Sequence, residues 1–380
     1  MWDAGTSSAP PGFSALHRPA GRDRVVTGSK GGPTLKDVAG LASVSTKTAS
    51  RVLNDHPKVA VATRAAVMEA MRALDYQPDP AARSLRAGTD RVVGIVIDSI
   101  GDVFFAQLVA TVEAILDAGG YRVLVASSNR DPVRERETVQ NFVQRRCAGV
   151  ILAPTGRDSL ADLRLRDTPI VFVDRVGDLD VARSVVSDDF GFGLTATDHL
   201  IGHGHRRIAL LSDAPVVETT RLRHEGFRAA MASAGLVVDE RLVRSDCPGP
   251  ADVMRVITAL LALDEPPTAL ISTNTRLSLG VVPALHQHGR TDIALVAIGD
   301  FAMAESLSPA VTVIDHSPEA VGAAAAQAML ARLDAGADLD LDRIQTVPAS
   351  LIERGSGELE PPRPGPSAQL DDASTTKEEE

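Results

Sequence analysis

Between Thr34 and Asn54 the chain reads TLKDVAGLASVSTKTASRVLN, a stretch whose polar and basic side chains are spaced to enter a nucleic-acid groove. Thr34 is placed to cap a first helix, with Asp37 at the third helical position, where a carboxylate meets exposed amides and the positive end of the helix dipole. Val38, Ala39, Leu41 and Ala42 form a small apolar face, and small residues let a second helix approach closely. Ser43 and Val44 make the turn, and Ser45 caps again. Thr46, Lys47, Thr48, Ser50 and Arg51 then put short polar and basic groups along the exposed face of the next helix. A helix that reads DNA needs such groups near its N-terminal end to reach base edges and phosphates, and the fork of Arg51 matches the two acceptors of a guanine edge. A structural three-helix bundle with a solvated polar face is the alternative; the spacing and the local basicity speak against it.

The chain that must position these residues has 380 of them and a net charge of −11, which by itself argues against a nucleic-acid partner. Charge has to be read by segment. Lys30 to Arg91 holds ten Lys and Arg against six Asp and Glu, residues 1–29 add a net +1, and everything after Arg91 carries −16. A basic head on an acidic body suits a protein that meets phosphates with one end only. No apolar run approaches the roughly 18 residues of a membrane helix, and the N-terminus lacks the layout of a signal peptide, so a cytoplasmic, nucleoid-associated protein without a membrane partner is expected. Cys147 and Cys247 stand far apart and without metal-ligand spacing, so neither a disulfide framework nor a metal is expected.

Residues 1–32 and 356–380 are rich in Gly, Ser and Pro, the latter with an acidic end, and both read as disordered tails. Residues 33–79 carry short helical patterns and no strand signal; residues 80–90 read as a hinge and linker. From 91 to 355 apolar runs alternate with amphipathic helices: VVGIVI, YRVLVA, GVILA and IVFVD, then a second series with RIALLS, TALIST and IALVAIGD. Strands buried on both faces look like this, and two doubly wound parallel α/β lobes in tandem are the simplest account. VTVID, an Ala-rich helix over 318–333 and TVPASLIE come late enough to return the chain to both lobes.

Thr34 to Asn54 together with YQPDPAARSLRAG resembles the lactose-repressor/galactose-repressor (LacI/GalR) family of bacterial regulators, a likeness that spans about Thr34 to Gly355. The resemblance implies a homodimeric transcriptional repressor that binds operator DNA and responds to a small-molecule effector, a sugar or related metabolite. It also implies that Thr46, Lys47 and Arg51 read bases while Ser45, Thr48 and Ser50 lie near phosphates. AARSLRAG matches the family's hinge helix. Its residues fit that role directly: Ala81 and Ala82 keep the helix slim, Leu85 is a wedge for a minor-groove base step, and Arg83 and Arg86 can meet phosphates. In the third helix Ala60 stands where the family commonly has a Ser cap.

For the body the resemblance implies a periplasmic-binding-protein-like fold with the effector between the lobes, at Ser99, Phe104, Phe105, Asp174, Arg223, Asn274 and Asp300. Asp174, Asn274 and Asp300 each follow an apolar run, Arg223 is a two-pronged clamp, and the adjacent phenylalanines offer stacking faces. Ser99 to Val103, Thr275 and Cys247 depart from the family pattern, which weakens a simple hexose assignment. Gly191, Gly193 and Ala196 in GFGLTA spell a weak dinucleotide fingerprint, but no strong strand is read just before Gly191 with the tight turn such a site requires, and no cofactor is expected. His199, His203 and His205 are read as structural rather than as metal ligands. A solute-binding protein without a DNA role and an enzyme on an α/β scaffold are the rival functions; residues 34–88 oppose the first, and the lack of a nucleophile elbow or P-loop opposes the second.

Overall fold

Thr34 opens the first helix, α1 (Leu35–Leu41), with a reciprocal cap: its backbone N–H donates to Asp37 Oδ2 at 2.8 Å, and Asp37 N–H donates back to Thr34 Oγ1. A turn with Ser43 in the left-handed region leads into α2 (Thr46–Leu53), and α3 (Val61–Ala73) follows. Val38, Ala39, Ala49, Val52, Val67 and Ala70 from the three helices make one small buried core. The computed structural model describes residues 33–53, 56–76, 90–179, 182–245, 247, 250–335 and 343–362, and the chain divides into two units, residues 1–86 and 87–380. The hinge residues Arg83, Leu85 and Arg86 lie outside the described residues.

The second unit is built on two six-stranded sheets. The strands are β1 (Asp90–Ile97), β2 (Arg122–Ser127), β3 (Cys147–Leu152), β4 (Ile170–Val173), β5 (Arg183–Ser187), β6 (Ile208–Leu211), β7 (Val243–Arg244), β8 (Ala269–Ser272), β9 (Ala294–Ile298), β10 (Thr312–Asp315), β11 (Ile344–Val347) and β12 (Ser350–Ile352). The first sheet has the order β11-β5-β4-β3-β1-β2 and is parallel throughout; the second has the order β12-β10-β9-β8-β6-β7 and is parallel except for β12. The helices of this unit are α4 (Val103–Ala118), α5 (Pro132–Gln144), α6 (Asp189–Gly202), α7 (Glu218–Ser233), α8 (Pro250–Leu261), α9 (Thr275–Gln287) and α10 (Pro318–Ala335). They cover the sheets, which is why β3, β4, β6, β8 and β9 are buried along their whole length.

The chain passes between the lobes three times: from β5 into α6, from β10 into α10, and from β11 into β12. The late segments therefore return to both lobes, and TVPASLIE is split between the two sheets rather than forming one strand. Two short strands, β5 and β7, carry too few apolar residues to be read as strands from the sequence; β5 ends at Ser187, and Gly191 lies inside α6 rather than in a turn at the strand end. The boundary of the acidic tail is corrected too. Residues 356–362 belong to the second lobe, where Ser356 Oγ donates to the Leu295 carbonyl and the Glu358 carboxylate accepts from Thr312 Oγ1 and bonds His199 Nε2 at 2.7 Å.

The glycines of GFGLTA serve packing. A Cβ on Gly193 would stand 2.1 Å from the Arg223 carbonyl oxygen, and one on Gly226 would stand 2.1 Å from that of Phe190, so α6 and α7 cross backbone to backbone. Alanine favours a helix over glycine by about 1 kcal/mol, so a loss of stability in Gly226→Ala isolates the packing, at about 1–3 kcal/mol and several degrees of melting temperature. Gly202→Ala, with no atom within 4 Å of the new methyl, is the control and should be neutral or stabilising. In the head, α3 starts at Ala60 with no side-chain cap. Ala60→Ser should stabilise that unit by about 0.5–2 kcal/mol in a denaturant melt, and an unchanged midpoint would count against the missing cap.

Candidate DNA-reading helix and effector cleft

In the first unit, α2 buries Ala49 and Val52 and turns Thr46, Lys47 and Arg51 outward. Lys47 and Arg51 are one helical turn apart, so both cations lie on one face. Ser45 Oγ accepts the Thr48 N–H at 3.0 Å and shares a hydrogen bond with Thr48 Oγ1, so these two side chains hold the helix start while remaining at its surface. Ser50 is half-buried beside them. The sequence-expected DNA set is thus divided: Thr46, Lys47 and Arg51 present their groups outward, and Ser45 and Thr48 are caps first.

In the second unit, the ends of parallel strands from both lobes converge on a cavity of about 810 Å³. Asp98 and Ser99 follow β1, Asn129 and Arg130 follow β2, Asp213 follows β6, and Arg276 opens α9. An adjoining recess shares Asp102, Arg130 and Asp213 with it and adds Phe104, Phe105, Asp174, Arg175, Arg223, Asn274, Thr275 and His316. Ser99, Phe104, Phe105, Asp174, Arg223 and Asn274, expected from the sequence, are brought together here. Asn129, Arg130 and Asp174 all have left-handed backbone, a conformation that clusters at functional loops.

The cleft is a network of paired charges. Arg130 donates through Nε to Asp98 of its own lobe at 2.8 Å and through Nη1 to Asp213 of the other lobe at 2.9 Å. Asp98 also receives both Nη groups of Arg175, which donates further to the Pro154 carbonyl at 2.9 Å. Arg276 bonds Asp213 from the second lobe's side. Arg223 is held by Asp189 at 2.7 Å and by the Thr273 carbonyl, so the expected clamp is already oriented by its own partners. Burial opposes the charge on Arg175, but Asp174 and Asp98 overcome it and raise its pKa. Burial pushes up the Asp102 and Asp174 carboxyls and takes Asp189 to about 7.

One expectation needs correction. Asp300 does not line the recess itself: its carboxylate receives Arg354 Nη1 at 2.8 Å and Nη2 at 2.6 Å, which holds its pKa low, and it lines a neighbouring cavity of about 240 Å³ that shares Phe104, Thr275 and His316 with the recess. Gly299, with φ of +93°, is the residue of that strand end beside Thr275 and His316. Phe104 and Phe105 line the recess but are also buried members of the first lobe's core. Cys247 is buried in the second lobe's core, away from the cleft lining. The histidines of the expected structural set bond Glu358, the His199 carbonyl, Thr268 and the Leu359 carbonyl.

Asp98, Asp102, Arg130, Arg175, Asp189, Asp213, Arg276 and His316 were not singled out from the sequence as site residues. Asp98 and Asp213 carry the same signal as Asp174, a carboxylate at the end of an apolar run, and were findable. His316 carries none. Its ring is fully enclosed, edge-on to Phe104 with centroids 4.7 Å apart, and its Nδ1 has no hydrogen-bond partner.

Comparison with known proteins bears on both units. Residues 34–79 match the family described as bacterial regulatory proteins, lacI family, and residues 197–357 match a periplasmic binding protein-like domain. The chain is 31% identical over 332 residues to the HTH-type transcriptional repressor PurR of Haemophilus influenzae (strain PittEE), covering 84% of this chain and 98% of that one. It is 30% identical over 306 residues to the HTH-type transcriptional regulator GalR of Escherichia coli (strain K12), covering 79% and 89%. A solved complex of the transcriptional regulator CelR with cellobiose superposes with a TM-score of 0.63 at 26% identity, over 85% of this chain and 99% of that one.

Burial, reinforced by Arg223, holds the His316 ring neutral in the folded protein down to about pH 3, against an ordinary value of 6.5. Below about 6.5 the unfolded chain takes up a proton that the folded one refuses, so stability is lost as pH falls, at up to about 1.4 kcal/mol per pH unit. His316→Gln removes this contribution. The melting-temperature difference between wild type and His316→Gln should move in the variant's favour from about pH 7 to about pH 5, and a difference that stays constant would contradict the buried neutral ring.

Proposed function

The chain belongs to the lacI family of bacterial regulatory proteins, and we propose from that premise that it acts as a homodimeric, cytoplasmic repressor whose hold on operator DNA is set by a small polar metabolite in the interlobe cleft. It is a DNA-binding transcriptional regulator with an effector-binding domain. Arg51 takes a guanine edge, Thr46 and Lys47 read neighbouring positions, and Ser45, Thr48 and Ser50 serve the phosphates. Arg83 and Arg86 follow the backbone on either side of Leu85, which opens a minor-groove step where two hinges meet. Residues 33–79 form the head, 80–90 the hinge and 91–355, with the packed segment to 362, the core.

The observation that carries the reading is the outward face of α2, with Lys47 and Arg51 one turn apart on a helix whose other face is buried. In the core, Ser99, Phe104, Phe105, Asp174, Arg223 and Asn274 contact the effector. CelR is a regulator solved with cellobiose, and a sugar or related polar metabolite is the effector class for this chain as well. Effector control requires the ligand to favour one arrangement of the lobes energetically. We read the site as binding without turnover, in keeping with the repressors the chain resembles. Among the described residues no helix is long and apolar enough to cross a membrane.

An operator selected from random duplexes by the purified protein provides the assay. Arg51→Ala should weaken that complex by about 1–3 kcal/mol and relax sequence preference at one position, while Leu85→Ala should weaken it through the hinge. Undiminished binding by both variants would overturn the DNA-reading assignment.

A further inference from the structure

One carboxyl group of the cleft is matched to no arginine. Arg130, Arg175, Arg223 and Arg276 are each bonded to a carboxylate of the set Asp98, Asp174, Asp189 and Asp213. Asp102 is left over. It lines both the main cavity and the adjoining recess, and among the described residues no arginine bonds it. Its Oδ1 accepts the Phe104 N–H at 3.0 Å as the cap of α4, and among the described residues nothing bonds its Oδ2. The helix start offsets part of the charge, and Arg130 and Arg276 act on it only at a distance, while burial and Asp98 oppose it. Phe104 and Phe105, on the first turn of the helix that Asp102 caps, line the same recess.

We propose that the effector carries a protonated amine and that Asp102 receives it. This deepens the effector reading above and rests on it. A neutral ligand would leave Asp102 without a charged partner, and an anionic one would compete with Asp213 for Arg130 and Arg276. An ammonium gives Oδ2 a donor, favours the charged form of Asp102 and leaves the arginine pairs intact. The cavity, at about 810 Å³, has room for an amino sugar or a comparable polar amine.

The test uses the full-length protein and matched pairs that differ only in amine against hydroxyl: D-glucosamine with D-glucose, and D-galactosamine with D-galactose, followed by calorimetry and thermal shift. At least one amine should bind about tenfold more tightly than its hydroxyl twin, and Asp102→Asn should erase that preference. Asparagine caps a helix as well as aspartate does, so the variant should keep its melting temperature. If neither amine outbinds its twin, or if the preference survives in Asp102→Asn, the proposal fails. A neutral sugar that changes operator binding would then show the effector reading standing without it, whereas an amine that binds through Asp102 without changing operator binding would leave this proposal standing and sink the regulatory one.

Discussion

The guanidinium of Arg130 holds one carboxylate from each lobe, Asp98 at 2.8 Å and Asp213 at 2.9 Å. Both acids are almost completely enclosed, with 5% of each side chain exposed. Removing the arginine would leave two buried carboxylates short of a partner, a far larger cost than that of losing a surface ion pair. Two further arginines flank this bridge. Arg175 braces Asp98 from the first lobe, and Arg276 braces Asp213 from the second. A ligand that alters the distance between the lobes has to work against these bonds or alongside them.

The bridge can be so specific because the surrounding scaffold leaves little freedom. The chain crosses between the lobes three times, and α6 meets α7 with backbone against backbone at Gly193 and Gly226. Phe104 belongs at once to the first lobe's core and to the wall of the recess, where it meets His316, just past the second lobe's strand β10. Core packing and the recess wall therefore share side chains, and a shift in one is felt by the other.

Much was legible in the sequence where a local rule suffices. Thr34 and Asp37 announced a cap that the structure makes in both directions. Asp174 and Asn274, each following an apolar run, reached the cleft. The same rule chose Asp300 and went astray, because a left-handed Gly299 turns the chain at that strand end and Arg354 claims the carboxylate. It also passed over Asp98 and Asp213, which carried the same signal. β5 and β7 were missed because edge and crossing strands are short and lack a continuous apolar run.

The sequence by itself determined the elements: a head of three short helices with a basic outward face, and two lobes of alternating strands and helices, since periodicity, caps and turn residues act over a few positions. Only the tertiary structure decided which charges meet. Arg130 lies 32 residues from Asp98 and 83 from Asp213, Arg223 lies 34 from Asp189, and Arg354 lies 54 from Asp300. No local pattern encodes such pairings; they exist because strand order brings distant loops to one edge, and burial then makes each unpaired charge too costly to leave alone. Asp102 is the exception that the same physics leaves for a ligand.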